Sequence, residues 1–268
     1  MTLLRRRLPW INPTRAAAAL ARHHGEQGLV WLDGDGGPLG QRITLAVDPV
    51  EQHCCRGLPG DSGARNPFTT LRELTAGHWT GWLSYDAAAW TEPGNPWRRD
   101  PMASLWIARH DPVLRFDLQA RELHLEGIDP SRHAAMAQLL ETQPIEAIPS
   151  EASTKQPLGC TWQRQSDREA FMAGVMRIRE LIASGDLFQA NLTSCASAEL
   201  QDPISNLNLY ERLRQRCPAP FSGVLIGGGA AAGEAVLSTS PERFLQVNPE
   251  GALQTRPIKG TRPRHADP

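Results

Sequence analysis

A carboxyl and an amine flank one turn near the C-terminal end of the sequence. Glu242 lies in Ser240-Pro241-Glu242-Arg243, and Lys259 in Thr255-Arg256-Pro257-Ile258-Lys259-Gly260-Thr261. Such a pair suits two roles, proton donor and nucleophile, because a lysine amine can lose its proton and attack whereas a guanidinium cannot. Lys259 is one of two lysines among the 28 Lys and Arg residues, in a sequence rich in Arg, Ala, Gly and Pro. A lysine kept between Arg256 and Arg262 points to work that arginine cannot do. Arg256, Arg262 and Arg264 would attract a carboxylate and favour the free amine by like-charge repulsion. On the residues alone, Lys259 is either this nucleophile or an anion-binding cation. Glu242 is either its proton donor or half of a structural salt bridge to Lys259 or Arg256.

The element that must position them is a hairpin. Phe244-Leu245-Gln246-Val247 and Ala252-Leu253-Gln254-Thr255 flank the turn Asn248-Pro249-Glu250-Gly251, a strand–turn–strand pattern. A symmetric register pairs Ser240 with Lys259 and Glu242 with Pro257, and such neighbours lie ~5–8 Å apart. The two prolines should end regular pairing there and splay the ends into a pocket wall.

Upstream, Ser166 and Glu169 form a capping box for a helix carrying Phe171, Val175, Ile178 and Ile182, which Gly185 stops. Leu187, Gln189, Asn191 and Thr193 would share one strand face. A helix is expected over 207–215, with Arg212, Arg214 and Arg216 on its solvated face, and strands over 221–226 and 235–240. In the first half, strands are expected at 42–47, 81–85 and 114–118, and helices at 67–75 and 130–141. Residues 33–40 match neither a phosphate loop nor a calcium loop and read as a tight turn. The Pro/Ser/Glu-rich stretch 143–157 reads as a linker between a lobe at 1–142 and a second part at 158–268.

Composition removes several classes of function. The formal net charge is −1, so no global field draws nucleic acid or an anionic membrane, and Arg5-Arg6-Arg7 reads as a local cluster in a disordered N-terminus. No apolar run approaches the ~20 residues of a membrane span, and the start lacks a signal peptide, which gives a cytoplasmic expectation. Five scattered cysteines read as reduced thiols without metal-ligand spacing.

Four ordered segments resemble the chorismate-utilising enzymes: Asp186-Leu187-Phe188-Gln189-Ala190-Asn191-Leu192, Pro220-Phe221-Ser222, Ser240-Pro241-Glu242-Arg243-Phe244 and Thr255-Arg256-Pro257-Ile258-Lys259-Gly260-Thr261. The resemblance covers 155–268, and Gly81-Trp82-Leu83-Ser84-Tyr85-Asp86 extends it weakly into the first half. Because Lys259 stands where anthranilate synthases typically carry Ala, the chain looks most like the aminodeoxychorismate synthase component I branch.

The resemblance implies an α+β fold: a mostly antiparallel two-sheet β-sandwich with helices outside, to which the first half also supplies strands. It implies that ammonia from a glutamine amidotransferase partner and chorismate yield 4-amino-4-deoxychorismate, for 4-aminobenzoate and folate synthesis. Lys259 and Glu242 would be catalytic, with Arg256, Gly260 and Thr261 at the substrate. Mg2+ would be the cofactor, its ligands lying in a C-terminal part beyond these residues. The chain is thus expected to be a C-terminally truncated enzyme, inactive alone. The alternatives are an anthranilate synthase component I, another chorismate enzyme, or a non-catalytic amidotransferase-binding fragment. Some relatives hold tryptophan beside Pro-Phe-Ser; Gly34, Pro220, Phe221 and Ser222 would form that effector site here. However, Asp33-Gly34-Asp35 replaces the usual Ser-containing motif, which argues against tryptophan.

Overall fold

The short β-runs between Gly/Pro turns pair into antiparallel sheets in the computed structural model, which describes residues 2–92, 94, 97–142, 158–201, 203–258 and 260. In chain order the first strands are β1 (Leu4–Leu8), β2 (Val30–Asp33), β3 (Arg42–Ala46), β4 (Glu51–Cys55), β5 (His78–Leu83), β6 (Leu105–His110), β7 (Val113–Asp117) and β8 (Glu122–Gly127). Then come β9 (Gln163–Arg164), β10 (Ala196–Ser197), β11 (Phe221–Ile226), β12 (Ala235–Ser240), β13 (Arg243–Val247) and β14 (Leu253–Arg256). The helices are α1 (Pro13–His24), α2 (Pro67–Arg72), α3 (Pro130–Thr142), α4 (Arg168–Ala183) and α5 (Asn206–Arg216). The chain divides into two compact units, Met1–Ser150 with Asn206–Pro268, and Glu151–Ser205. The linker stretch 143–157 lies outside the described residues.

In the larger unit a seven-stranded antiparallel sheet runs β1-β8-β7-β3-β2-β11-β12. The two halves of the sequence meet inside it, since Trp31 of β2 stands opposite Val224 of β11. Alternation along each strand sends one set of side chains to each face. On one face Trp31, Ile43, Leu45, Phe116 and Leu125 are buried under Leu20 of α1, Ala137 of α3 and Tyr210 of α5. On the other face Val30, Ala46 and Val113 pack with Trp82, Trp106 and Ala108 of a three-stranded sheet, β4-β6-β5. That sheet needs glycine at position 81, where a Cβ would lie 1.9 Å from the Trp106 carbonyl oxygen. Glu234 ties the segment before β12 to the small sheet by accepting from the Ala103 amide (2.9 Å) and pairing with Arg56.

Local chemistry explains the ends of the elements. Asn12 Oδ1 accepts from Thr14 N (2.9 Å) ahead of Pro13 in α1, and Asn66 Oδ1 accepts from Phe68 N (2.9 Å) ahead of Pro67 in α2. Arg5-Arg6-Arg7 belong to β1 rather than to a disordered terminus. Their guanidinium groups pair with Glu126, Glu141 and Glu122, so this edge of the sheet carries charge.

The smaller unit holds α4 and the short β9–β10 ladder. The cap of α4 is Asp167, whose Oδ1 accepts from Ala170 N (2.7 Å), one residue later than the expected Ser166 box; Asp and Ser cap about equally well. Gly185 takes φ +84° after the helix, as a left-handed stop requires. The strand expected over 187–193 does not form, because no neighbouring segment among the described residues supplies a ladder to it. No side chain of α4 is buried. No helix among the described residues is long and apolar enough to cross a membrane.

Candidate functional site

The hairpin forms. Asn248 N donates to Ala252 O (3.0 Å), Asn248 Oδ1 accepts from Ala252 N (2.6 Å), and Gly251 takes φ +84°. At its open end Arg243 stands opposite Arg256, as symmetry about the turn requires. Nearer the turn, Gln246 pairs with Gln254 and Val247 with Leu253, one residue off the symmetric register. From the first pair to the second, β13 advances three residues and β14 two. The extra residue lies at Phe244-Leu245, and Phe244 is 89% exposed.

Ser240 ends β12 opposite Phe221, and its Oγ donates to the Glu242 carbonyl (3.1 Å), closing a turn over Pro241. Glu242 is exposed and forms no ion pair among the described residues, so the alternative Glu242–Arg256 salt bridge is not made. Arg256 and Gly260 are exposed. Lys259 and Thr261 lie outside the described residues, and with them the pairing of Ser240 with Lys259.

Beside the hairpin, within the same unit, runs an open groove of about 700 Å3 lined by Leu39, Arg42, Phe221, Ser222, Arg243 and Arg256, among others. Three of the effector-site residues, Pro220, Phe221 and Ser222, therefore line this groove. Gly34 closes the neighbouring loop: a Cβ there would stand 2.1 Å from the Gly40 carbonyl oxygen. The loop is the expected tight turn, with Gly36 N donating to Gly40 O (2.9 Å) and Gly37 N to Asp35 Oδ1 (2.9 Å). The Ser222 hydroxyl is buried and donates to the Ala219 carbonyl (2.8 Å).

Under the groove sits a polar cluster that the sequence did not disclose. Asp33 Oδ2 accepts from Tyr210 Oη (2.9 Å) and Arg214 Nε (2.6 Å), and Oδ1 accepts from Arg214 Nη2 (3.2 Å). Arg214 Nη1 also donates to Thr14 Oγ1 (3.2 Å), and its guanidinium lies 5.0 Å from the Trp31 ring centroid. Arg214 is thus no member of a solvated face. It follows Tyr210 by one helical turn on α5, so both point at the sheet. That i, i+4 spacing was the available signal, but its target, Asp33, is 181 residues away. Burial, reinforced by the Asp33 charge, pushes the Tyr210 pKa up. Burial likewise raises Glu211, against the opposing pull of Arg214.

The fold has a counterpart among solved structures. A crystal structure of anthranilate synthase component I from Streptococcus pneumoniae matches with a TM-score of 0.55 and 17% identity, over 78% of this chain and 52% of that one. The chain belongs to the chorismate binding enzyme family, whose model matches residues 45–268. Aminodeoxychorismate synthase from Streptomyces griseus is 29% identical over 92% of this chain and 36% of its own length. Anthranilate synthase component 1 from Streptomyces coelicolor is 30% identical, over 94% of this chain and 58% of that protein. Aminodeoxychorismate synthase component 1 from Klebsiella aerogenes is 35% identical, over 60% and 33%. The chain therefore spans about a third to three fifths of the length of these relatives.

Proposed function

We propose that this chain is the N-terminal part of an aminodeoxychorismate synthase component I. The observation that supports the reading is the hairpin, whose Arg243–Arg256 register puts Ser240-Pro241-Glu242 and Pro257-Ile258 at the same open end, and Lys259 follows Ile258 in the sequence. In this reading the Lys259 amine attacks chorismate and forms a C–N bond as the C4 hydroxyl departs, and Glu242 supplies the proton that releases it as water. Ammonia from a glutamine amidotransferase partner then enters at C4 and frees the lysine, giving 4-amino-4-deoxychorismate. Arg256, Gly260 and Thr261 would meet the substrate.

Among the described residues no three carboxylate, imidazole or thiol groups converge. The steps assigned to this chain are those of Lys259 and Glu242 alone. Anthranilate synthase is the second reading, favoured by the comparable identity to the Streptomyces coelicolor relative. Lysine in place of the Ala typical of anthranilate synthases weighs against it.

The test is intact mass after incubation with chorismate and Mg2+, without ammonia, in this chain joined to the remaining segment of a relative. An adduct lost in Lys259→Ala supports the reading. Anthranilate as the direct product with ammonia overturns it. The 268-residue chain alone should give no turnover.

A further inference from the structure

A cavity of about 370 Å3 is lined by the last turns of both α1 and α3, and it shares no lining residue with the groove beside the hairpin. His23 and His24 end α1, and Leu139 and Thr142 belong to the end of α3. The carbonyls of a last turn have no intrahelical partners and carry the negative end of the helix dipole, so two such ends favour a cation. The two imidazoles stand edge to face with centroids 4.6 Å apart, and among the described residues neither has a hydrogen-bond partner. An uncharged imidazole offers one acceptor nitrogen. Burial, followed by the neighbouring His23, lowers the His24 pKa, so that ring is uncharged at neutral pH.

The charged groups beside the cavity run the same way. Arg132 is the one guanidinium on the lining among the described residues, and it is already engaged. Its Nε donates to the Asp111 carbonyl (2.6 Å), and its Nη2 donates to the Asp48 carbonyl and to Asp48 Oδ2 (2.8 Å). Asp48 Oδ1 is left without a partner among the described residues, on a side chain that is 49% exposed and lines the cavity. The Asp111 carboxylate accepts from the Ile128 and Asp129 amides (2.8 and 3.0 Å), and Asp129 Oδ1 accepts from Arg132 N (3.0 Å). Three carboxylates thus gather around one guanidinium, and the surplus is negative. Pro112, Ala135, Met136 and Leu139 supply apolar walls, and the volume lies at the small end of the range for small-molecule sites.

We infer that this cavity binds a small primary ammonium ion with a compact apolar body. The ammonium donates to Asp48 Oδ1 and to an imidazole nitrogen of His23 or His24, the first bond being charge-assisted. The hydrocarbon part covers Met136 and Leu139. A carboxylate in the same place would face Asp48 and two helix C-termini. This is a second site, and it stands apart from whether Lys259 aminates chorismate.

The test is calorimetric titration of the 268-residue chain with benzylamine, benzyl alcohol and benzoate at low ionic strength and about pH 8, where an ordinary imidazole is uncharged and the amine is still protonated. Benzylamine should bind saturably and at least about tenfold more tightly than benzyl alcohol, which has the same ring without the charge, and salt should weaken it. Benzoate should bind most weakly of the three. Asp48→Asn should weaken benzylamine about tenfold, in line with loss of one charge-assisted contact, and leave benzyl alcohol unmoved. Asparagine tolerates the left-handed backbone of Asp48 (φ +51°), so the variant keeps the local chain path. Ala135→Trp, at an exposed position of α3, should fill the cavity and abolish binding of both ligands without disturbing the core. No saturable binding of benzylamine, benzyl alcohol or benzoate binding as tightly, or benzylamine binding unmoved by either variant would each overturn the inference.

Discussion

Asp33 and Arg214 meet end to side, with Nε at 2.6 Å and Nη2 at 3.2 Å from the two oxygens of one carboxylate. The aspartate side chain is 1% exposed and the arginine 27%. A pair this enclosed does little net work against an apolar substitute, but removing one partner strands the other. Arg214→Ala should therefore lower the unfolding free energy by about 3–5 kcal/mol. Tyr210→Phe leaves the ion pair intact and should cost only about 1 kcal/mol. Urea denaturation of the two variants separates the cases.

His110 gives the pH dependence its sign. It is 1% exposed, with Nε2 2.8 Å from the Gly28 carbonyl; a carbonyl only accepts, so Nε2 carries the proton. Burial pushes its pKa down to about 4, outweighing the opposing backbone hydrogen bonds. The unfolded chain, with an imidazole pKa of about 6.5, therefore binds more protons than the folded one between pH 6.5 and 4. Stability from this group is fully present above pH 6.5. It should fall by about 3 kcal/mol as the pH drops to 4. Urea midpoints taken across that window should flatten in His110→Asn, which keeps a donor for Gly28.

Placing serine at position 34 should fail. The Cβ would lie 2.1 Å from the Gly40 carbonyl oxygen, a backbone atom that cannot rotate away. Gly34→Ser should destabilise by about 1–3 kcal/mol through overpacking, and Gly34→Ala by a similar amount. Thermal unfolding of the two variants checks this, and equal losses would separate backbone crowding from any effect of the hydroxyl.

Glu234 joins the large sheet to the small one through the Ala103 amide and Arg56. Glu234→Ala leaves that amide without its acceptor and Arg56 with only the Pro101 and Ala230 carbonyls. The expected cost is about 2–3 kcal/mol, since hydrogen bonds to charged groups are the stronger ones. Amide exchange at Ala103 should quicken in this variant while that at Val224 stays slow.

Local elements were legible in the sequence because their signals are local. The strands 221–226 and 235–240 and the helix from Pro130 have the bounds that periodicity and punctuation implied, or nearly so. The turn at Asn248–Gly251 followed from its residues. The single-residue slip in the hairpin did not, because a bulge at Phe244-Leu245 leaves no mark in a strand of ordinary apolar composition. Beyond it, side chains change faces. The Asp33–Arg214 bond was equally hidden, since nothing in a helix face names its partner in a distant strand. The segment 187–193 shows the converse: it alternates like a strand but has no ladder to join.

The pairing of β2 with β11 also sets an order of events. Trp31 is synthesised early, yet its neighbour Val224 emerges only when most of the chain has been made. Closing so long a loop carries an entropic cost before any contact offsets it, and folds dominated by such pairings are slow. During translation β3, β7, β8 and β1 can assemble among themselves, while β2 waits with one flank open. The β2–β11 seam, between the fifth and sixth of the seven strands, is therefore the last part to be sealed, and the nascent chain must keep Trp31 and its neighbours from other partners until then.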